Sequence, residues 1–408
     1  MPDYFIGIEI EGKTIPVGTL AVFENRGKDF TRFQYDNAWI EHPLGFEIDP
    51  MLPLVKGFSF RDSRLPGAFQ DISPDRWGRL LQERAKSGYI SDIGPMIGVS
   101  DSMRLGAIRI SLASDPENYL SPHANIPKFV MISELMEAIR RVEEDAETSE
   151  DLRMLLDPGA SLGGARPKAI VQDGGAMWIA KFPSQGDSRR MALWEAMMLK
   201  MAGTVGIKTP EFKVIIISER SPVLLVRRFD RTEGGDRIHF MSAMTMLGRD
   251  EQSANLGSYI GIVDAMTVKS ANPGEDAKQL WKRMVFNVLT GNTDDHLRNH
   301  GFLRTTKGWV LSPAYDLNPT RLEKRAHALS FDGKTNVPDL ELCLALAPYF
   351  RYGRDSEAKN DLERIRESVS GWKQMAKEIG LEAREITRME KAFEISDLPL
   401  KMKGSRVK

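Results

Sequence analysis

The strongest apolar runs in this chain, "VIIIS" (residues 214–218) and "PVLLV" (residues 222–226), are each five residues long. A membrane-spanning helix needs roughly 18 apolar residues in a row, so runs this short are strands that must find cover inside a fold. "GGAMWIAKFPS" just upstream reads as a turn and another strand, and "RRMALWEAMMLKMAG" between them reads as a helix ended by Gly203. After Asp230 the pattern becomes mostly helical, with "AMTMLG", "LGSYIGIVDAM" and "AKQLWKRMVFNVLT". Two short strands follow, "HGFLRTT" and "GWVLSP", and then helices with a stop at Gly380.

The beginning of the chain has a different texture. Ile6, Ile8 and Ile10 alternate on one face, "EGK" supplies a turn, and "TIPVGTLAVF" continues as an antiparallel strand. In "DISPDRWGRLLQERA", Ser73 has the character of an N-cap, with Pro74 at the first helical position. The polar, Pro-rich "DPENYLSPHANIPKF" marks a boundary. "ISELMEAIRRVEED" reads as an amphipathic helix, followed by an exposed acidic connection. These signals divide the chain into a β-rich region over 1–125, a mixed region over 126–228 and a helical region over 229–408, an α+β class overall.

Composition limits the function classes. Lys plus Arg is 56 and Asp plus Glu is 57 of 408 residues, so no global field favours nucleic acid or an anionic membrane. Cys343 is the only cysteine, which rules out an intrachain disulfide or thiolate cluster and fits a reducing compartment. "MPDYFIGIEIEGK" lacks the basic start and apolar run of a signal peptide. The expectation is a soluble cytoplasmic protein with no membrane partner.

Chemistry concentrates in "NTDDHLRNHGFL" (residues 292–303), which holds two of the six histidines beside two carboxylates. His296 and His300 stand four apart, as zinc ligands do on a helix in H-E-x-x-H proteases. Here Leu297 occupies the place of the general-base glutamate, and "GFL" would end such a helix, so zinc hydrolysis is disfavoured. Phosphoryl transfer fits better. Asp294 and Asn299 have the D-x-x-x-x-N spacing of a kinase catalytic loop, and Asp316 in "YDLNP" follows after a short strand pair. The first Asp accepts or orients a hydroxyl proton, while Asn and the second Asp offer hard oxygen ligands to Mg²⁺.

Upstream residues supply the remaining parts. Lys181 lies inside the apolar strand "WIAKF", where an unpaired ammonium is costly, and Glu195 on the next helix is its natural partner. A structural ion pair is the plainer explanation for those two taken alone. Gly163 and Gly164 in "SLGGARPK" can bring backbone N–H groups to phosphates, although a glycine-rich turn alone specifies little. What carries weight is the order: glycine loop, strand Lys, helix Glu, apolar strand, helices, Asp-x₄-Asn, hairpin, Asp.

The stretches "SLGGARPKA", "WIAKFPS", "VRRFDR", "NTDDHLRNHGF" and "LSPAYDLNPT" resemble the HipA-type toxin kinases of bacterial toxin–antitoxin pairs. "FQDISPDRWGRLL" and "IGVSDSMRLGAI" resemble that family's extra N-terminal domain. The resemblance implies a bilobal kinase-like fold with an added β-rich N-terminal domain and a mostly helical C-terminal lobe. It implies phosphorylation of protein Ser/Thr using ATP and Mg²⁺, with an aminoacyl-tRNA synthetase among the family's targets. It also implies a helix-turn-helix antitoxin of HipB type, through which DNA is reached only indirectly. Carried onto this chain, Asp294 is the base, His296 a positioning group, and Asn299 and Asp316 the metal ligands. Lys181 holds phosphates, Phe229 and Tyr315 belong to the nucleotide pocket, and Ser161 is the autophosphorylated serine. No role beyond packing is expected for His300. Two rival readings are a small-molecule kinase of the aminoglycoside-phosphotransferase type and a non-catalytic subunit that docks an antitoxin. The extra N-terminal region speaks against the first. The presence of both Asp294 and Asp316 speaks against the second.

Overall fold

The computed structural model describes residues 3–25, 28–62, 64–85, 93–120, 126–156, 165–187, 190–218, 221–321 and 326–397. The fold is α+β, and the chain forms two compact units, each assembled from separated stretches. The first combines Met1–Ala192, Pro210–Asp250 and Gly301–Lys307. The second combines Leu193–Thr209, Glu251–His300 and Gly308–Lys408.

Two sheets organise the first unit. Strands β1 (Asp3–Ile10), β2 (Lys13–Asn25), β3 (Lys28–Tyr35), β4 (Phe60–Asp62), β5 (Ile108–Leu112) and β6 (Asp115–Tyr119) form one sheet in the order β4-β3-β2-β1-β5-β6. The expected alternation is present at its centre, where Ile6 and Ile8 are buried. Glu11 and Gly12 both take positive φ, 50° and 73°, which is the backbone a tight hairpin between β1 and β2 requires. Strands β7 (Lys168–Asp173), β8 (Ala176–Lys181), β9 (Phe212–Ile216) and β10 (Pro222–Arg227) form the second sheet in the order β7-β8-β10-β9. The apolar run that opened the sequence argument becomes β10, with Val223, Leu224 and Leu225 fully buried between two neighbours. Strand β11 (Phe240–Ser242) pairs antiparallel with β12 (Gly301–Thr305).

Three local expectations are corrected. Asp75, rather than Ser73, caps helix Arg76–Arg84 by accepting from the Gly78 N–H at 2.8 Å. The Ser73 hydroxyl already donates to the Phe69 carbonyl at 2.8 Å, and the other Asp75 oxygen is held by Lys168 Nζ at 2.6 Å. The acidic connection after residue 143 contains helix Ser149–Leu156, started by a capping box in which Thr148 and Asp151 exchange hydrogen bonds. Gly203 remains inside helix Met191–Thr204, and the chain turns instead at Gly206, φ 76°.

The second unit is built around helix Pro273–Thr290, whose Leu280, Trp281, Met284, Val285 and Phe286 are fully buried. Helices Tyr259–Lys269, Asp355–Ser370 and Ala383–Phe393 pack on it. The short strand β13 (Gly308–Leu311) also belongs to this unit, and its Leu311 N–H donates to Asp276 at 3.1 Å.

A buried carboxylate fastens the first unit internally. Asp230 has no exposed surface and accepts from the Gly106 N–H at 2.7 Å, Arg228 Nη2 at 2.6 Å and Arg231 Nη1 at 2.8 Å. The same Arg228 donates to the carbonyls of Met103 and Arg104 at 2.8 and 3.0 Å. Burial alone would raise the Asp230 pKa, but the charges of Arg228 and Arg231 outweigh it and hold the carboxyl well below the usual range. Removing one partner of a buried ion pair strands the other and costs about 3–5 kcal/mol. Asp230→Ala should therefore lower the unfolding free energy by about that amount in urea titration, and a loss under about 1 kcal/mol would contradict the fastening role.

Candidate active site

The loop that follows helix Pro273–Thr290 carries the chemistry. The helix ends at Gly291 in the left-handed conformation, φ 61°. A side chain there is excluded twice, by that backbone and because a Cβ would lie 2.5 Å from the Ala392 carbonyl oxygen. The Thr293 carbonyl then accepts from the Ala328 N–H at 2.8 Å, and the Gly291 carbonyl from the Thr320 N–H at 2.9 Å. Beyond the acids, Leu297–Asn299 forms a single 3-10 turn, with Leu297 packed against the bare face of Gly257. His296 and His300 flank that turn in extended conformation rather than sharing a helix face.

The two neighbouring carboxylates have opposite surroundings. Asp295 is buried and accepts from His300 Nε2 at 2.9 Å and from the Tyr259 hydroxyl. Tyr259 in turn accepts from Asn287 Nδ2 at 3.1 Å, and Asn287 Oδ1 accepts from Asn292 Nδ2 at 3.0 Å. Burial acts to raise the Asp295 pKa, but His300 and Tyr259 together bring it below its ordinary value. Buried Arg283 adds positive charge nearby and donates to the Ser312 carbonyl. Asp294 instead reaches solvent. Its pKa is raised, by partial desolvation first and also by the charges of Asp316 and Asp295, against the lowering effect of His296.

Asp294, His296, Asn299, Tyr315 and Asp316 all lie in the second unit. Asn299 Nδ2 donates to the Asp294 carbonyl at 3.3 Å, which leaves the amide oxygen as the atom available to a cation. Tyr315 donates to the Arg298 carbonyl at 2.6 Å and so ties the "YDLNP" segment to the loop. Asp316 takes φ 56°, uncommon for a residue other than glycine, and accepts from Asn318 Nδ2 at 3.3 Å. Two facing carboxylates and an amide are a hard oxygen donor set that suits Mg²⁺. The raised Asp294 pKa is the electrostatic strain such a cation would relieve.

The other predicted residues are placed as follows. Lys181 ends β8 in the first unit, opposite Leu224 of β10. Phe229 follows β10 in the same unit, its ring 6.4 Å from Phe240. Glu195 is buried on helix Met191–Thr204 and belongs to the second unit. Ser161, Gly163 and Gly164 lie outside the described residues. Sequence reasoning missed Asp295 and gave His300 packing only. The local signal was the doubled "DD", but its partner Tyr259 lies 36 positions upstream.

The HipA-like C-terminal domain family matches residues 160–394, and the HipA N-terminal domain matches residues 9–96. The chain belongs to the HipA-like family. A putative kinase, Y4dM of Sinorhizobium fredii, is 29% identical over 159 residues, 36% of this HipA-like chain and 38% of that protein. The serine/threonine-protein kinase toxin HipA of Shewanella oneidensis is 24% identical over 274 residues, 58% of this chain and 61% of that one. The matches thus span less than two thirds of these relatives' own length. The solved HipA from the Shewanella oneidensis MR-1 complex of HipA, HipB and operator DNA has a similar fold, with TM-score 0.69 and 19% identity over 96% of this chain and 95% of that one.

The opposite pKa shifts of the adjacent acids give opposite expectations. A carboxyl whose folded pKa is raised destabilises the fold as pH rises through that value, so Asp294→Asn should raise the unfolding temperature at neutral pH and lose the gain in acid. A lowered pKa stabilises above the unfolded value and is lost as pH falls, so Asp295→Asn should cost about 2–3 kcal/mol at neutral pH and less in acid. Thermal melts across pH 3 to 8, roughly the span of carboxylate titration, check both signs.

Proposed function

We propose that this HipA-like chain is an ATP- and Mg²⁺-dependent serine/threonine protein kinase that acts as the toxin of a toxin–antitoxin pair. The observation that carries this reading is the convergence of Asp294, Asn299 and Asp316 in one loop cluster, with Asp316 held at a costly φ of 56°. Backbone strain of this kind persists where the surroundings over-determine it, and such positions cluster at functional sites.

In this reading Asp294 takes the proton of the acceptor hydroxyl as its oxygen attacks the γ-phosphorus and ADP leaves. Its openness to solvent lets an acceptor reach it, and its raised pKa makes it a better base than an ordinary surface aspartate. His296 positions it electrostatically. Asn299 and Asp316 hold the metal, which when bound would neutralise charge on the transferring phosphoryl group. Lys181 is assigned to the phosphates with Glu195 as its carboxylate partner, and Phe229 and Tyr315 to the nucleotide pocket. Gly163 and Gly164 are assigned as the phosphate cradle and Ser161 as an autophosphorylation site, on sequence alone.

The partner proposed is a helix-turn-helix antitoxin of HipB type, which would bring the toxin to DNA indirectly. Support comes from the fold shared with the HipA solved together with HipB and operator DNA. The acceptor proposed is a translation protein, an aminoacyl-tRNA synthetase, met in the cytoplasm. Among the described residues no helix is long and apolar enough to cross a membrane.

Purified protein incubated with labelled ATP, Mg²⁺ and bacterial lysate should label a protein band, and label confined to small molecules would reject the protein-kinase reading. Asp294→Asn and Asp316→Asn should each reduce transfer at least ~10²–10³-fold, Asn being chosen because it tolerates the left-handed backbone at 316. Mass spectrometry of the same reaction should find phosphate on Ser161. An unmodified Ser161 beside a labelled acceptor would remove self-modification from the proposal.

A further inference from the structure

The first unit holds a cavity of about 220 Å³ that the kinase reading does not use. Four separated stretches line it: the β1–β2 turn, residues 44–46, the 232–239 segment and the end of β12. One wall is apolar, made by Ile8, Leu44 and Phe46. Arg304 lies over the Phe46 ring, 4.5 Å from its centroid, partly buried and with its pKa lowered by that burial. Arg237 lies deeper, with 7% of its side chain exposed. Its Nη2 donates to Asp101 at 2.8 Å, and its Nη1 is a buried donor with no acceptor among the described residues. The exposed carboxylates Glu11 and Asp236 stand on the rim, Glu11 placed there by its positive-φ turn. His239 contributes no charge, since burial and then the Arg304 charge push its pKa down to about 3.

This lining selects a charge pattern. A buried guanidinium N–H lacking an acceptor, beside a second guanidinium, is matched by a carboxylate. A simple anion would have to pass two rim carboxylates, whereas a ligand that also carries an ammonium group would satisfy them. The apolar wall adds a place for a hydrocarbon side chain. The volume lies below the roughly 300–1,000 Å³ of drug-sized ligand sites, so the occupant is small. We propose that this cavity binds a free α-amino acid with an apolar side chain, its carboxylate toward Arg237 and Arg304 and its ammonium toward Glu11 and Asp236. The site lies within the first unit and is separate from the residues assigned to phosphoryl transfer, so it would let an amino acid bind the toxin without occupying that machinery.

The test is calorimetric titration of the full chain with phenylalanine and leucine, beside phenethylamine and 3-phenylpropionate. At least one amino acid should bind, and at least tenfold more tightly than both of the analogues that lack one charged group. Arg304→Gln should weaken that binding at least tenfold, and Leu44→Trp should abolish it by filling the cavity, with melting temperature and phosphoryl transfer in the absence of amino acid unchanged. If Arg304→Gln misfolds, Leu44→Trp alone decides. No binding by either amino acid at millimolar concentration overturns the proposal. So does equal binding of an analogue, or binding that survives Leu44→Trp. Because the readout is binding, it stands whether or not the chain proves to be a kinase.

Discussion

The carboxylate of Asp230 is the point on which the first unit depends. An unpaired charge with no exposed surface would cost several kcal/mol, and here two guanidiniums and a backbone amide answer it. Those partners come from both ends of the unit: Gly106 belongs to the stretch before β5, and Arg228 and Arg231 to the chain leaving β10. Arg228 completes the join through the carbonyls of Met103 and Arg104. A second buried pair, Lys168 with Asp75, repeats the device between β7 and helix Arg76–Arg84. The β-rich N-terminal part and the four-stranded sheet therefore form one compact body rather than two domains on a linker. The two joins use charge and not only apolar contact. Directional pairing of this kind specifies one arrangement, where oil-like packing would tolerate several.

In the second unit the same economy of charge separates two adjacent residues. Asp295 is spent on structure: its oxygens are taken by His300 and Tyr259, and through Tyr259 the loop is tied back to helix Pro273–Thr290 by Asn287. Asp294 is left open, facing Asp316 and Asp295, which is poor for stability and useful for chemistry. The anchoring of one acid makes the exposure of the other sustainable, because the backbone between them has a single course.

Much of this was legible. Short apolar runs, turn glycines and the Asp-x₄-Asn spacing are local signals, and their order along the chain pointed to the fold that the comparisons bear out. The capping box at Thr148–Asp151 was equally local, and the acidity of the segment hid it. The N-cap at Asp75 was hidden for a different reason, since the lysine that stabilises it stands 93 positions away. His300 likewise looked idle until Asp295, turned inward by Tyr259, gave it a partner. The cavity lined by Arg237 and Arg304 left no trace in the sequence, because four distant stretches each contribute two or three side chains. A unit assembled from three separated pieces, one of them only Gly301–Lys307, has no compositional edge to find.

Gly291 has a consequence for the order in which the protein is made. The loop that bears Asp294 begins at a backbone turn pressed against the main chain of Ala392, so tightly that no Cβ fits between them. Helix Ala383–Phe393 is thus one wall of the mould in which that loop is cast. A ribosome that has released everything through Asp316 has produced every side chain assigned to catalysis, yet the wall is still unsynthesised. The nascent chain remains unfinished at its most reactive point until the last helix emerges, and a message truncated before that helix would yield a protein without a set loop.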